Sequence, residues 1–139
     1  MITVSVVDGN DVKVRDLIAY HCELATKEAE RYRGAIASAG GLSVRRIYVA
    51  EVDESPIGSM MIRIESNKEW VIEYVHVVSQ ARGIGAGDHL LRQLIADARA
   101  AGVSKLTASA LPGDRGTKNL FERFGLIAET IIVSKDLNA

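Results

Sequence analysis

Apolar residues cluster in ITVSVV (Ile2 to Val7), and the run stops at the polar turn DGND, which predicts a short opening strand. From Val12 to about Tyr32 the period lengthens. Val14, Leu17, Ile18, Cys22, Leu24 and Ala25 recur mostly at helical spacing with charges on the other side, so one amphipathic helix, or two in tandem, is expected. RGAIASAGGLS (Arg33 to Ser43) reads as a mobile loop rich in glycine and alanine. RIYVAEV (Arg46 to Val52) and IGSMMIRIE (Ile57 to Glu65) are strand-like runs around the turn DESP, hence a hairpin. After the turn SNK, EWVIEYVHVV (Glu69 to Val78) is a further long strand.

The second half is punctuated by glycine. A helix is expected from the glycine segment to about Ala101, with Leu90, Leu91, Leu94, Ile95 and Ala98 on one side and Arg92, Gln93, Asp97 and Arg99 on the other. Gly102 is a fitting stop. SKLTASAL then reads as a strand, DRGTKNLFERFG as a short helix ending at Gly125, and LIAETIIVSKDL as a final strand. The β–helix–β passage from Val71 to Leu111 implies a parallel pair within a mixed sheet, an α/β fold.

Composition changes this picture little. The 139 residues suit one domain spanning 1–139, and 47% hydrophobic with 25% charged is ordinary globular chemistry. A formal net charge of -1 gives no electrostatic case for nucleic acid or an anionic membrane as partner. No apolar run approaches a membrane span, and the acids in MITVSVVDGNDVKVRD come too early for a signal peptide, so a cytoplasmic location is expected. Cys22 is alone, and His21, His76 and His89 are too far apart for a zinc pair on one helix, so no metal site is expected.

The informative stretch is SQARGIGAGDHLL, Ser79 to Leu91. Each glycine costs roughly 0.5–1 kcal/mol in a regular element, so Gly83, Gly85 and Gly87 require a positive φ or a close approach to the main chain. A dinucleotide fingerprint fails, because its sixth place falls on Asp88 or Leu90, and the Gly-Lys-Ser/Thr ending of a P-loop is absent. What survives is a strand, a glycine turn and a helix N-terminus, whose free amides suit a phosphate or pyrophosphate; a plain flexible turn is the competing reading.

Here the sequence resembles the GNAT superfamily of acetyl-CoA-dependent N-acetyltransferases. The family signature, Gln/Arg-x-x-Gly-x-Gly/Ala, is met at Gln80 to Gly85 and again at Arg82 to Gly87. The apolar pair Leu90–Leu91 favours the second register, with Arg82, Gly85 and Gly87 as motif residues. YVAEVDESPIGSMMIRIE, IEYVHVVSQARG, ARAAGVSKLTASALPGD and KNLFERFGL resemble further family segments, from Arg46 to about Leu126. The resemblance implies an acyl-CoA N-acyltransferase fold: a central mixed sheet with helices on both faces and parallel fourth and fifth strands.

It also implies coenzyme A as the anion. Its pyrophosphate would lie on the amides of Arg82, Gly83, Ile84, Gly85, Ala86 and Gly87, and its pantetheine arm along Val75 to Val77. A side chain at Gly87 is expected to block the phosphate path. Lys118 or Arg115 would meet the 3′-phosphate, against the plainer reading of exposed charges, and His89 reads as a solvated helix residue. Acetyl transfer needs a polarised carbonyl, which a strand amide near Val75 to Val77 can supply, and a base, since an ammonium of pKa near ~10.4 has no lone pair. Glu73 is the leading base and His76 the second, with Tyr74 as a hydroxyl donor. Regular alternation groups Glu73 with Val75 and Val77, unless a bulge resets it.

Phe121 stands where the family commonly has a proton-donating tyrosine; it is either a departure from that mechanism or simply core. The amine acceptor, a small molecule or a protein, would be lined by Tyr20 to Arg46, including Glu23, Glu28, Glu30 and Tyr32; the glutamates would attract a cationic amine, against the plainer reading of a solvated helix face. A non-catalytic acyl-CoA sensor is the rival function. A homodimer is a family-level expectation that the apolar LIAETIIV supports.

Overall fold

The computed structural model describes residues 1–8 and 45–138, together with Ala19, Glu23 and Lys27 from the stretch between. Five strands form one sheet in the order β1-β2-β3-β4-β5: β1 (Ile2–Asp8), β2 (Arg45–Val52), β3 (Ser55–Ile64), β4 (Glu69–Val77) and β5 (Lys105–Ala108). The first three pairings are antiparallel, and β4 runs parallel to β5, as the crossover requires. That crossover holds helix α1 (Ala86–Ala100), and α2 (Arg115–Arg123) follows β5.

Local chemistry sets each boundary. The β2–β3 hairpin closes through Asp53 and Glu54 alone, both at positive φ (49° and 66°), the geometry a two-residue turn needs to follow the strand twist. Ser66 Oγ accepts from the amides of Lys68 and Glu69 and turns β3 into β4. Both helices end as their glycines predict. After α1, Gly102 (φ 77°) donates to Arg99 O and Val103 to Ala98 O; after α2, Gly125 (φ 86°) donates to Glu122 O and Leu126 to Phe121 O. These are paired Schellman closures. Asp114 caps the start of α2 by accepting from the Thr117 amide at 3.2 Å.

The core sits between the sheet and α1. Tyr48, Met60, Ile62, Trp70 and Ile72 pack against Leu90, Leu91, Leu94 and Ala98, joined by Leu120 and Phe121 of α2. The helical stripe read in the sequence is therefore the buried one. The opposite sheet face is covered too: Ile47, Val49, Ser59, Met61, Tyr74 and His76 are all buried. The helix expected over Val12 to Tyr32 and the loop Arg33 to Ser43 lie mostly outside the described residues. Ala19, Glu23 and Lys27 are helical and exposed, an outward row at a spacing of four.

One expected element is absent. Leu126 to Leu137 does not form a strand: past Leu126 the segment joins no ladder. The exposed Lys105–Glu129 pair at 3.4 Å ties it to the sheet. A β-prone composition forms a strand only where a neighbouring edge takes up its backbone groups.

β4 positions the site. Ile62 faces Ile72 but Met61 faces Tyr74, so Glu73 is an extra residue, a bulge. Before it, Trp70 and Ile72 point to α1. After it, Val75 and Val77 pack on that side while Tyr74 and His76 join the opposite face. The pairing with β5 stops at the same place, at Ile72 opposite Ala108.

Candidate active site at the splayed end of β4 and β5

Because β5 ends at Ala108, the stretch Glu73 to Val77 has no strand beside it on that side among the described residues, and a cavity of about 530 Å³ opens there. Tyr74 to Val77 form one wall and Ser109 to Leu111 the other, and residues 85–88 at the mouth of α1 close one end. From α2, Gly116, Thr117, Leu120 and Arg123 complete the lining. The size suits a small ligand, and a gap where two parallel strands part is a usual place for one.

The α1 mouth has backbone groups that could hold an anion. Its N-cap, Gly85, is left-handed (φ 91°) and offers no side-chain cap, so the first-turn amides have no partner from a capping side chain. Gly85, Ala86, Gly87 and Asp88 all line the cavity. Arg82, in extended conformation, donates from Nε to Val77 O at 3.2 Å, tying the strand end to the turn. Asp88 adds a negative charge in the first helical turn, and Arg123 Nη2 meets its Oδ1 at 2.6 Å.

The three glycines answer to two different demands. Gly83 (φ 86°) and Gly85 (φ 91°) need the left-handed region. Gly87 does not; a Cβ there would stand 3.1 Å from Leu120 Cδ2. Its bare backbone lets α2 close on α1, and the same residue lines the cavity. His89 differs from expectation, since its Nδ1 donates to Gly85 O at 2.8 Å and braces the turn.

Of the residues singled out, Glu73, Tyr74, Val75, His76, Val77, Arg82, Gly83, Gly85, Ala86 and Gly87 meet at this one cavity. Ile84 and Lys118 do not line it. Ile84 is exposed, and Lys118 Nζ pairs with Glu122 at 3.6 Å on the outer surface of α2. Arg115 is exposed as well. Phe121 is buried in the core, the plainer of its two readings; Tyr74 and Ser109 both line the cavity, with the Tyr74 hydroxyl itself buried.

Glu73 carries an unforeseen partner. Arg45 Nε donates to its Oε1 at 2.9 Å, and the carboxylate is almost wholly buried (4% exposed). Arg45 and Arg46 are neighbours on β2 and so point to opposite faces. Arg46 goes to the α1 side, over the rings of Trp70 and Tyr48 and within 3.7 Å of Asp97. The bulge thus groups Glu73 with Arg45 on the far face, not with Val75 and Val77. The doubled arginine was the available signal for both pairs; no pattern announced Asp88–Arg123. Below the site, Tyr48 donates to Asp97 Oδ2 at 2.7 Å, and burial followed by that bond pushes its phenol well above its ordinary pKa. Among residues expected at an acceptor pocket, Glu23 is exposed and paired with Lys27 at 3.5 Å, whereas Glu28, Glu30 and Tyr32 lie outside the described residues.

Comparison with known proteins agrees with this architecture. The profile of the Acetyltransferase (GNAT) family matches residues 16–126, and the chain belongs to that family. Among solved structures, the fold is similar to an aminoglycoside acetyltransferase from an uncultured soil metagenomic sample (14% identity, 97% of this chain and 94% of that one, TM-score 0.72). It is also similar to a ribosomal-protein-alanine N-acetyltransferase from Brucella melitensis biovar Abortus 2308 (16% identity, 97% and 99% covered, TM-score 0.67). A third, AAC(6')-Iy in complex with the bisubstrate analog CoA-S-monomethyl-acetylneamine, matches at 12% identity with 98% of both chains covered and TM-score 0.68. No curated protein matches the chain. Among the described residues, no helix is long and apolar enough to cross a membrane.

Proposed function

We propose that this protein is an acetyl-CoA-dependent N-acetyltransferase that passes an acetyl group to a primary amine of a small molecule or protein by direct attack in a ternary complex. The observation that carries this reading is the meeting, in one cavity, of an uncapped helix mouth and a strand stretch without a neighbour. Acetyl-CoA, when bound, supplies the activated acetyl thioester. The amides of Gly85 to Asp88, freed by the left-handed turns at Gly83 and Gly85, hold its diphosphate. Val75 and Val77 offer main-chain groups to the extended arm, and a strand amide there donates to the thioester oxygen.

Glu73 takes the proton of the incoming amine, directly or through water, oriented by Arg45. His76, on the same cavity wall, is the second candidate. Tyr74 or Ser109 has the hydroxyl to return a proton to the departing sulfur. In a broad amine panel, at least one amine is expected to accelerate thiol release from acetyl-CoA. Glu73→Gln should slow that step by ~10²–10⁴ while calorimetry shows unchanged acetyl-CoA affinity. The same loss in His76→Gln alone would move the base to His76. Gly85→Val should abolish acetyl-CoA binding. A protein that binds acetyl-CoA yet stays silent across small amines, peptides and aminoacyl compounds would be a sensor instead.

A further inference from the structure

Glu73 does not face the cavity as a lone negative charge. Arg45 reaches across β3 from β2, and its Nε donates to Glu73 Oε1 at 2.9 Å, with the arginine side chain 18% and the glutamate 4% exposed. Taking two charges out of water is costly, and apolar residues of similar size often fill such a place at least as well. The pair also forms where the bulge re-aims β4, and Glu73 lines the cavity. Its position favours a use beyond fastening two strands.

The signs of the charges narrow the ligand. An alkylammonium that approaches Glu73 also approaches the Arg45 guanidinium, and like charges repel strongly where water is scarce. A polycation would meet that obstacle and find little excess acid, since Asp88 and Asp114 on the cavity wall are engaged by Arg123 and by the Thr117 amide. A ligand with an ammonium and a carboxylate on one carbon avoids the conflict. Its ammonium faces Glu73, its carboxylate faces Arg45, and the charges alternate in sign. A planar guanidinium has N–H donors on more than one edge, so Arg45 can keep Glu73 on Nε and take a second carboxylate.

We propose that the acceptor is a free α-amino acid, held as a zwitterion between Glu73 and Arg45. This rests on the acetyltransferase reading above and narrows its amine to one class. Glu73 takes one proton from the α-ammonium and passes it to water. The nitrogen then bonds to the acetyl carbon, the carbon–sulfur bond breaks, and the second nitrogen proton ends on sulfur. The N-acetylated product keeps its carboxylate but has no charge for Glu73, so it binds less tightly than the acceptor.

The test is a panel of free amino acids, each beside its carboxamide, its decarboxylated amine and a peptide that begins with it. For the best amino acid, kcat/KM for thiol release should exceed that of its three analogues by about tenfold to a hundredfold, the scale of hydrogen bonds between charged groups. The carboxamide has the less basic amine and would win in a site that ignored the carboxylate. Arg45→Met should raise KM for the amino acid but not for its analogues, bringing the ratio to about one, whereas lost alignment of Glu73 would lower kcat for every acceptor alike. Arg45→Lys should restore part of the preference. Should Arg45→Met fail to fold, the wild-type ratio decides. Calorimetry of wild type with coenzyme A should show the amino acid binding about tenfold or more tighter than its carboxamide. Carboxamides, simple amines or peptides used as well as free amino acids overturn the inference and leave the acetyltransferase reading standing. Silence toward every acceptor overturns both.

Discussion

The two halves of β4 show how one strand serves two purposes. Up to Ile72 it is paired on both edges and sends Trp70 and Ile72 into the core under α1. Beyond the extra residue Glu73 it has β3 on one edge only, and Tyr74 and His76 leave the α1 side for the opposite face. The first half is held by packing, and the second half has main chain to spare. A single inserted residue makes the change without interrupting the antiparallel ladder to β3. Stability and chemistry can therefore be separated by position along nine residues.

Substitutions can break that division. The largest expected effect is Ile72→Ala, which should cost about 2–5 kcal/mol of unfolding free energy in urea titrations, yet leave kcat of the folded fraction near wild type. Glu73→Gln should do the reverse, slowing turnover by ~10²–10⁴. If Ile72→Ala slows the folded enzyme as severely as Glu73→Gln, the two halves are not separable.

A second comparison uses pH. Tyr48 lies in the packed region, and its phenol has a raised pKa in the folded protein. Below about pH 10 both folded and unfolded chains keep the proton and the contribution is complete. Above that the unfolded chain releases it first, so stability should fall as pH rises. Urea midpoints at pH 8 and pH 11 should drop less in Tyr48→Phe than in wild type. An identical drop in both would remove the burial argument. The smallest effect concerns the hairpin far from either half. Glu54 holds a left-handed conformation, so Glu54→Gly should raise stability by about 0.5–1 kcal/mol, read as a later urea midpoint.

Much of the frame was legible in the sequence because local chemistry dictates it. Gly102 and Gly125 stop their helices, Asp114 caps α2, and the crossover from β4 through α1 forces a parallel fifth strand. The glycine turn and helix mouth were legible for the same reason. What escaped depends on partners distant in the chain. Arg45 meets Glu73 across 28 positions and Arg123 meets Asp88 across 35, and neither spacing leaves a periodic trace. The bulge was allowed for but not placed, because a run such as VIEYVHV reads as unbroken alternation and only the register with β3 exposes the extra residue. Gly87 was legible as a need for bare backbone, but its contact with Leu120 was not, since Leu120 arrives from another helix. The final run, rich in isoleucine and valine, has strand chemistry but no edge to join.

The tie between Asp88 and Arg123 bears on how quickly a ligand is caught. Arg82 and Arg123 are matched in the cleft by Asp88 and Asp114, and Glu73 is matched by Arg45, so opposite signs nearly cancel a few ångströms from the entrance. Such a cleft casts no long-range field to draw a polyanion in from solution. For the diphosphate proposed above, capture would then rest on short-range amide contacts after random encounter, at a modest rate almost indifferent to ionic strength.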